Sequence, residues 1–203
     1  MAPETVYIER FSATERTAHW VHATAFLMLL ATGLALYVPA LSVAVGRRPL
    51  LKDLHVYTAI AWIGGLVLVV ALGDRRRLRQ TLRDFDSFDA DDMLWLRRYP
   101  RPQGRFNAGQ KVNAALTGAF AVLFAVSGSL LWLGERDHRF RFASTILLHD
   151  WLTLISLFLL VGHLYLALLY PATRHALRGM TRGSVRRDWA ERHHPKWARE
   201  QRQ

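Results

Sequence analysis

Four long stretches of the chain carry almost no charged residues and are rich in apolar ones. They run from Thr17 to Gly46, from Leu54 to Gly73, from Val112 to Gly134 and from Phe142 to Thr173, and the last contains only Asp150. A helix of about 20 apolar residues crosses the ~30 Å hydrocarbon core of a bilayer. The pattern predicts a single all-α membrane domain, residues 1–203, with transmembrane helices at approximately 17–38, 54–73, 111–133 and 144–171.

The distribution of positive charge predicts how these helices are oriented. An even number of spans places both termini on the side of the connection between the second and third helices. That side carries 21 of the 27 Lys and Arg residues. By the positive-inside rule, both termini, a loop at 74–110 and a tail at 174–203 are cytoplasmic. We expect the first helix to be retained, because it has no convincing signal-peptide cleavage site.

The formal net charge of +11 does not by itself indicate a nucleic-acid partner. The arginines flank apolar spans and are not gathered on a soluble module, so we expect contact with anionic membrane lipid and no nucleic-acid binding. The chain has no cysteine, which excludes thiolate metal sites and covalent haem attachment. Any metal must therefore be held by histidine.

Histidines inside the predicted spans are the candidate functional residues, because a membrane histidine is costly unless it has a partner. His19 begins the first helix on the cytoplasmic side, and His55 begins the second on the outer side. His149 begins the fourth on the outer side, and His163 lies ~21 Å further along it, on nearly the same face. Depth therefore pairs His19 with His163 and His55 with His149. His22 lies one turn from His19, and depth in the membrane does not decide which of the two is the ligand.

Two imidazoles from different helices suit a six-coordinate haem iron, whereas zinc requires more protein ligands. Such ligation leaves no open coordination position and favours electron transfer. We therefore predict a four-helix bundle that holds two b-type haems. Glycines in the spans would let a flat macrocycle approach, or would serve helix packing. These are Gly33, Gly64, Gly65, Gly118, Gly128 and Gly162. Two other classes remain open: a haem-free transporter with a histidine relay, and a passive membrane anchor.

Several sequence segments carry a resemblance to a known family. They are ERTAHW at 15–20, KDLHVYTA around His55, GRFNAGQK at 104–111, LLHDW and VGHLYLALLY around the later histidines, and GMTRGSVRRDWAERHHPKW at 179–197. In this order, over nearly the whole length, the chain resembles the cytochrome b (gamma) subunit of membrane-bound respiratory formate dehydrogenases. The resemblance implies His19 as the first-helix ligand, and it leaves His22 as a packing residue.

The resemblance also implies a quinone site near the cytoplasmic haem, at Asn107, Gly109 and Gln110. A quinone oxygen that gains electrons needs hydrogen-bond donors, and polar amides at the membrane boundary supply them. The electron acceptor would be menaquinone or ubiquinone. The alternative for this segment is a helix start whose side chains satisfy free backbone N–H groups.

The partners follow from the same resemblance. An iron-sulfur (beta) subunit would dock on the outer face of the bacterial inner membrane, and it would receive electrons from a molybdenum- or tungsten-containing catalytic (alpha) subunit. This chain would transfer electrons and reduce quinone without itself oxidising formate. His193 and His194 in the tail would contact a partner. A cytochrome b subunit of a hydrogenase or of a thiosulfate-type reductase is the nearest rival. The run from Asp84 to Asp92 is expected to be a solvated loop.

Overall fold

The computed structural model describes residues 5–201, which divide into two units: residues 13–78, and residues 5–12 together with 79–201. Four helices are long and apolar enough to span a membrane. They are Ala13–Tyr37, Arg48–Leu72, Ala108–Gly134 and Ala143–Leu169. The predicted all-α class and the four predicted transmembrane helices are therefore confirmed.

The first unit contains α1 (Ala13–Tyr37), α2 (Pro39–Val45) and α3 (Arg48–Leu72), and the unit boundary falls within α4 (Arg75–Asp86). The second unit continues with α5 (Ala90–Leu96), α6 (Ala108–Gly134), α7 (Ala143–Leu164) and, in the tail, α8 (Leu177–Arg182), α9 (Arg187–His193) and α10 (Pro195–Glu200). Two short strands, β1 (Tyr7–Glu9) and β2 (Ser184–Arg186), also belong to it. The predicted loop and tail therefore contain helices of their own.

In the first unit, α1 and α3 form an antiparallel hairpin joined by α2. Both helices begin several residues before their apolar stretches, because polar residues beyond the hydrocarbon core can still continue a helix. Pro49 lies in the first turn of α3, where its missing N–H costs nothing. At the opposite end, Gly73 ends α3 so close to Thr14 that a Cβ would overlap its side chain. The backbone N–H of Asp74 then donates to the Thr14 hydroxyl at 3.0 Å.

In the second unit, α6 and α7 form a second hairpin. The predicted fourth helix, 144–171, is slightly shorter in the structure: α7 passes into a π-helical turn at Tyr165–Leu169 and ends there. Tyr170 is extended because the residue before a proline, here Pro171, is sterically excluded from helical geometry. His163 lies two residues before this π turn begins, and such turns are frequent at functional sites.

The chain ends of the second unit are joined outside the spans. Strand β1 pairs antiparallel with β2, with Ile8 opposite Val185. Their apolar face packs against α9 and α10 in a small cluster that we call the tail core. Its buried members are Ile8, Val185, Trp189, Ala190, Trp197 and Ala198. The tail is thus a packed structure that includes the N-terminal segment.

Candidate functional site

His55 and His149 have matching surroundings in their separate hairpins. The Nδ1 atom of His55, on α3, lies 2.9 Å from the hydroxyl of Thr32 on α1. The Nδ1 atom of His149, on α7, lies 2.9 Å from the hydroxyl of Ser127 on α6. Both imidazoles are half-buried. Each hairpin therefore holds its histidine through one ring nitrogen, in the manner of metal-ligating histidines.

The other three span histidines differ in their surroundings. His22 packs among aromatic rings, with centroid distances of 5.9 Å to Phe26 and 5.5 Å to Trp62. His19 makes an edge contact with Trp20, at 5.1 Å between ring centroids. His163 is exposed on α7. The members of each predicted pair belong to different units, so the pairing of His19 with His163 and of His55 with His149 stays a prediction.

The span glycines separate into three groups by what a Cβ would meet. At Gly65 it would stand 3.0 Å from Val21, which indicates close packing of α1 against α3. At Gly33 and Gly128 it would stand 3.4 Å and 3.6 Å from the Cε1 atoms of His55 and His149. At three others it would meet no described atom within 4 Å. These are Gly64, Gly118 and Gly162. Imidazoles beside glycines fit the approach of a flat macrocycle.

Asn107 and Gln110 form a reciprocal cap at the start of α6. The Asn107 side-chain oxygen accepts from the Gln110 N–H at 2.9 Å, and the Gln110 side-chain oxygen accepts from the Asn107 N–H at 3.0 Å. The buried Gln103 accepts from the Ala108 N–H. A Cβ on Gly109 would stand 3.3 Å from Trp95. The side chains of Asn107 and Gln110 therefore cap the start of α6. The cap uses their amide oxygens, and their NH2 groups can still donate hydrogen bonds.

The acidic run from Asp84 to Asp92 is wrongly predicted as a plain solvated loop. Asp92 is buried and binds the Lys111 ammonium at 2.6 Å, and the same ammonium donates to the Ser87 carbonyl. Asp89 and Asp92 together form a capping box on α5. These contacts fix the first turn of α6 to α5. Since Lys111 follows Gln110 directly, the ion pair also fixes the capped segment.

Other acids of the run form ion pairs elsewhere in the second unit. Asp84 accepts from Arg105 at 3.2 Å, and Lys196 of α10 contacts both Asp89 and Asp91 at 2.7 Å. The hydrogen bond from Lys196 lowers the pKa of Asp89. The carboxylates thus connect the segment at 84–92 to the tail.

A buried Arg10 joins the N-terminal segment to the tail. Its guanidinium donates to the Arg105 carbonyl at 2.8 Å and lies 3.1 Å from Nε2 of His194. Rings of the tail core and its surroundings lie within cation–π range at 5.3–6.0 Å. They belong to Phe11, Phe106, Trp189 and Trp197. Burial, followed by the charge of Arg105, lowers the pKa of Arg10 to about 9, so it stays protonated at neutral pH.

The expectation that His194 contacts a partner protein is wrong. His194 is 2% exposed. Its Nδ1 lies 2.8 Å from the Gly104 carbonyl, and because a carbonyl only accepts, this nitrogen carries the proton. Nε2 therefore accepts from Arg10. Its neighbour His193 stacks on Trp189 at 5.0 Å between ring centroids. The two histidines belong to the packing of the tail itself.

The His194 environment predicts an acid-sensitive tail. Burial, followed by the charge of Arg10, lowers the pKa of His194 from 6.5 to about 3. Between these values the unfolded tail binds a proton that the folded tail excludes. The stability that depends on neutral His194 is therefore fully present above pH 6.5 and is lost as the pH falls. The loss from this group reaches at most about 1.4 kcal/mol per pH unit. Limited proteolysis of the tail across this range measures it.

His194→Gln is the control for this prediction. Its amide can donate to Gly104 and accept from Arg10, but it does not titrate. We expect the variant's tail to lose less protection than the wild type between pH 6.5 and pH 4. Identical pH profiles for the two proteins would show that His194 is not the acid-sensitive group.

Comparison with known proteins decides the family. The family model described as prokaryotic cytochrome b561 matches residues 10–183, which include both hairpins and all four candidate ligands. The chain belongs to the prokaryotic cytochrome b561 family. Cytochromes of the b type carry haem b, so this membership confirms haem as a cofactor and agrees with four membrane helices.

This cytochrome b561 family member is also similar to curated formate dehydrogenase subunits. It is 27% identical to the formate dehydrogenase cytochrome b556(fdo) subunit of Escherichia coli K12, over 95% of this chain and 92% of that protein. It is 24% identical to the formate dehydrogenase cytochrome b556 subunit of Haemophilus influenzae, over 96% and 83%. The nitrate-inducible cytochrome b556(Fdn) subunit of E. coli K12 is 23% identical, over 95% and 91%. The predicted resemblance is confirmed.

Proposed function

We propose that this cytochrome b is the dihaem membrane subunit of a formate dehydrogenase, and that it passes electrons from an iron-sulfur subunit across the membrane to quinone. The observation that carries the proposal is the matched pair of histidines, His55 and His149, each held through Nδ1 by a helix hydroxyl and each beside a glycine. The similar formate dehydrogenase subunits, matched over nearly their whole length, support the choice of enzyme.

Four histidines would hold the two haems. His55 and His149 ligate the outer one, and His19 and His163 ligate the cytoplasmic one. When bound, haem supplies a one-electron carrier at each depth. The ring contacts of His22 with Phe26 and Trp62 support its assignment as a packing residue.

The capped start of α6 would bind the quinone, which is menaquinone or ubiquinone. The cap holds the side chains of Asn107 and Gln110 in fixed positions. Their NH2 groups can donate hydrogen bonds to a quinone oxygen. Gly109 lies between them in the sequence and would complete this site. The amides would stabilise the negative charge that develops on the quinone oxygen, while its protons arrive from the cytoplasm.

The topology of the proposal follows the positive charge. Both termini, α4, α5 and the tail lie in the cytoplasm, and the connections that contain Arg47 and Arg139 face outward in the bacterial inner membrane. The iron-sulfur subunit docks on the outer side and receives electrons from a molybdenum- or tungsten-containing subunit. Formate oxidation would belong to that catalytic subunit, and this chain would transfer electrons and reduce quinone.

Asn107→Asp and Gln110→Glu test the quinone role separately from the capping role. Each variant keeps the oxygen that caps α6 and removes an NH2 donor. We expect both proteins to fold with a normal haem spectrum and to exchange electrons with a quinol analogue about 10-fold to 100-fold more slowly, the size expected for one charge-assisted hydrogen bond. The assay follows haem reduction by stopped-flow absorbance.

Asn113→Asp provides a matched control, because Asn113 lies on α6 but outside the cap. Wild-type exchange rates in both cap variants, with that control also at the wild-type rate, would contradict the quinone assignment. A purified wild-type chain that shows no dithionite-reducible b-type spectrum would contradict the haem assignment itself.

A further inference from the structure

The hydroxyl of Thr32 lies 2.9 Å from Nδ1 of His55. Thr32 is 5% exposed, and its Oγ1 lies 2.8 Å from the Met28 carbonyl and 3.2 Å from the Leu29 carbonyl. A carbonyl can only accept, so the single hydroxyl proton goes to one of them. We infer that Oγ1 accepts from Nδ1–H of His55, for which the Leu29 carbonyl is a further acceptor. The ring is thereby fixed in the tautomer whose lone pair is on Nε2.

The hydroxyl of Ser127 makes the same arrangement in the other hairpin. Ser127 is 1% exposed, and its Oγ donates to the Leu123 carbonyl at 2.7 Å. It therefore accepts from Nδ1–H of His149. Phe124, one turn earlier, contacts the same imidazole edge to face at 5.1 Å between centroids. Both the proton position and the ring plane of His149 are thus constrained.

The two arrangements share a local sequence pattern. In each hairpin, a hydroxyl residue is followed directly by a glycine on the first helix, and the histidine lies on the second helix. The hydroxyl precedes its histidine by 23 residues in one hairpin and by 22 in the other. Back-bonding of a buried Ser or Thr to its own helix is common. Its coincidence with a histidine Nδ1 and an adjacent glycine in both hairpins is not explained by back-bonding alone.

We propose that Thr32 and Ser127 are positioning residues for the two ligands of one haem, an inference that rests on the proposed haem-binding function. Each hydroxyl fixes the tautomer that offers Nε2 to iron and sets the plane of the imidazole. Gly33 and Gly128 leave the space beside each ring that a larger side chain would fill.

The hydroxyls also influence the reduction potential of that haem. An imidazole whose Nδ1–H is hydrogen-bonded is a stronger electron donor through Nε2. A stronger donor stabilises the oxidised iron and lowers the reduction potential. Removal of either hydroxyl should therefore raise the potential of the haem held by His55 and His149, while the other haem keeps its own.

Thr32→Val and Ser127→Ala test the inference in the full-length chain. Thr32→Val keeps the shape of the side chain and removes only its hydroxyl. We expect each variant to retain a two-haem spectrum, with an upward shift in one of the two midpoint potentials and altered low-spin electron paramagnetic resonance g-values for the same haem. The double variant should shift further. Spectroelectrochemical titration separates the two potentials.

Two control variants distinguish positioning from general packing. Thr32→Ser keeps a hydroxyl and should restore wild-type values. Thr153→Val removes a hydroxyl that bonds the His149 carbonyl in its own helix and no described ring nitrogen, so both potentials should remain unchanged. Should Thr32→Val and Ser127→Ala retain haem with wild-type potentials and g-values, the inference is wrong. A wild-type chain without haem would instead contradict the proposed function, so the two failures are distinguishable.

Discussion

Replacement of His163 with alanine should remove one of the two proposed haems and reduce electron delivery to quinone to the background level. His163 is exposed on α7, next to Gly162, where a Cβ would meet no described atom within 4 Å. Substitution of an exposed side chain usually changes stability little, so we expect the variant to fold. In the proposed assignment the other haem is held by His55 and His149, so its spectrum should persist.

The measurement is haem content per chain, together with the rate of haem reoxidation by a quinone analogue. His22→Phe is the matched control, because it keeps an aromatic ring against Phe26 and Trp62 in the first hairpin. We expect this control to retain both haems, and His19→Ala to lose the same haem as His163→Ala. Loss of haem in the His22 variant, with full retention in the His19 variant, would reverse the ligand assignment.

Lys111→Met should be the most destabilising single substitution among the charged residues at the start of α6. It leaves the carboxylate of Asp92, whose side chain is 3% exposed, without its cation. Removal of one partner from a buried ion pair costs about 3–5 kcal/mol, because the remaining charge stays desolvated. Since Lys111 follows the Asn107–Gln110 cap, quinone exchange should slow as well. Thermal unfolding in detergent gives the stability change.

Two further variants separate the buried charge from other causes. Lys196→Met breaks ion pairs whose members are 30–55% exposed, and it should cost at most about 1 kcal/mol. Asp92→Asn combined with Lys111→Met removes both charges and should recover much of the lost stability. Equal destabilisation by the Lys111 and Lys196 variants would contradict the buried-pair explanation.

The membrane helices were predictable from sequence because, in a bilayer, apolar character over a sufficient length decides the structure of a segment. Every backbone polar group in hydrocarbon must bond within the helix, so an apolar stretch of sufficient length has one outcome. The helix ends were less predictable. At Arg48, the helix begins six residues before the predicted position 54, because a proline in the first turn and a polar helix start are both compatible with the interface.

The tail was not predictable from local sequence. Its fold depends on Arg10 meeting His194, 184 residues away, and on Ile8 pairing with Val185. Neither contact leaves a periodic pattern in the chain. A Trp at 189 and another at 197 were the available signal, because large aromatic residues in a charged tail indicate a small core. The acidic run was misjudged for the same reason, since Lys111 and Asp92 lie on different helices.

The candidate ligands were identified from their position along the spans, but the residues that hold them were not. Thr32 and Ser127 are unremarkable in an apolar helix, and only their repeated spacing from His55 and His149 indicates a role. The same spacing of a hydroxyl–glycine pair from a histidine occurs twice, but the sequence does not show that the hydroxyl and the imidazole are hydrogen-bonded. The structure supplied that information within each hairpin.

The most direct test of the proposed dihaem function is the ratio of haem b to polypeptide in the purified wild-type chain. Pyridine haemochrome absorbance gives the haem content, and amino-acid analysis gives the protein. We predict two haems per chain, with two separable midpoint potentials. A ratio of one or zero in the folded, full-length protein would contradict the assignment of four histidines as ligands.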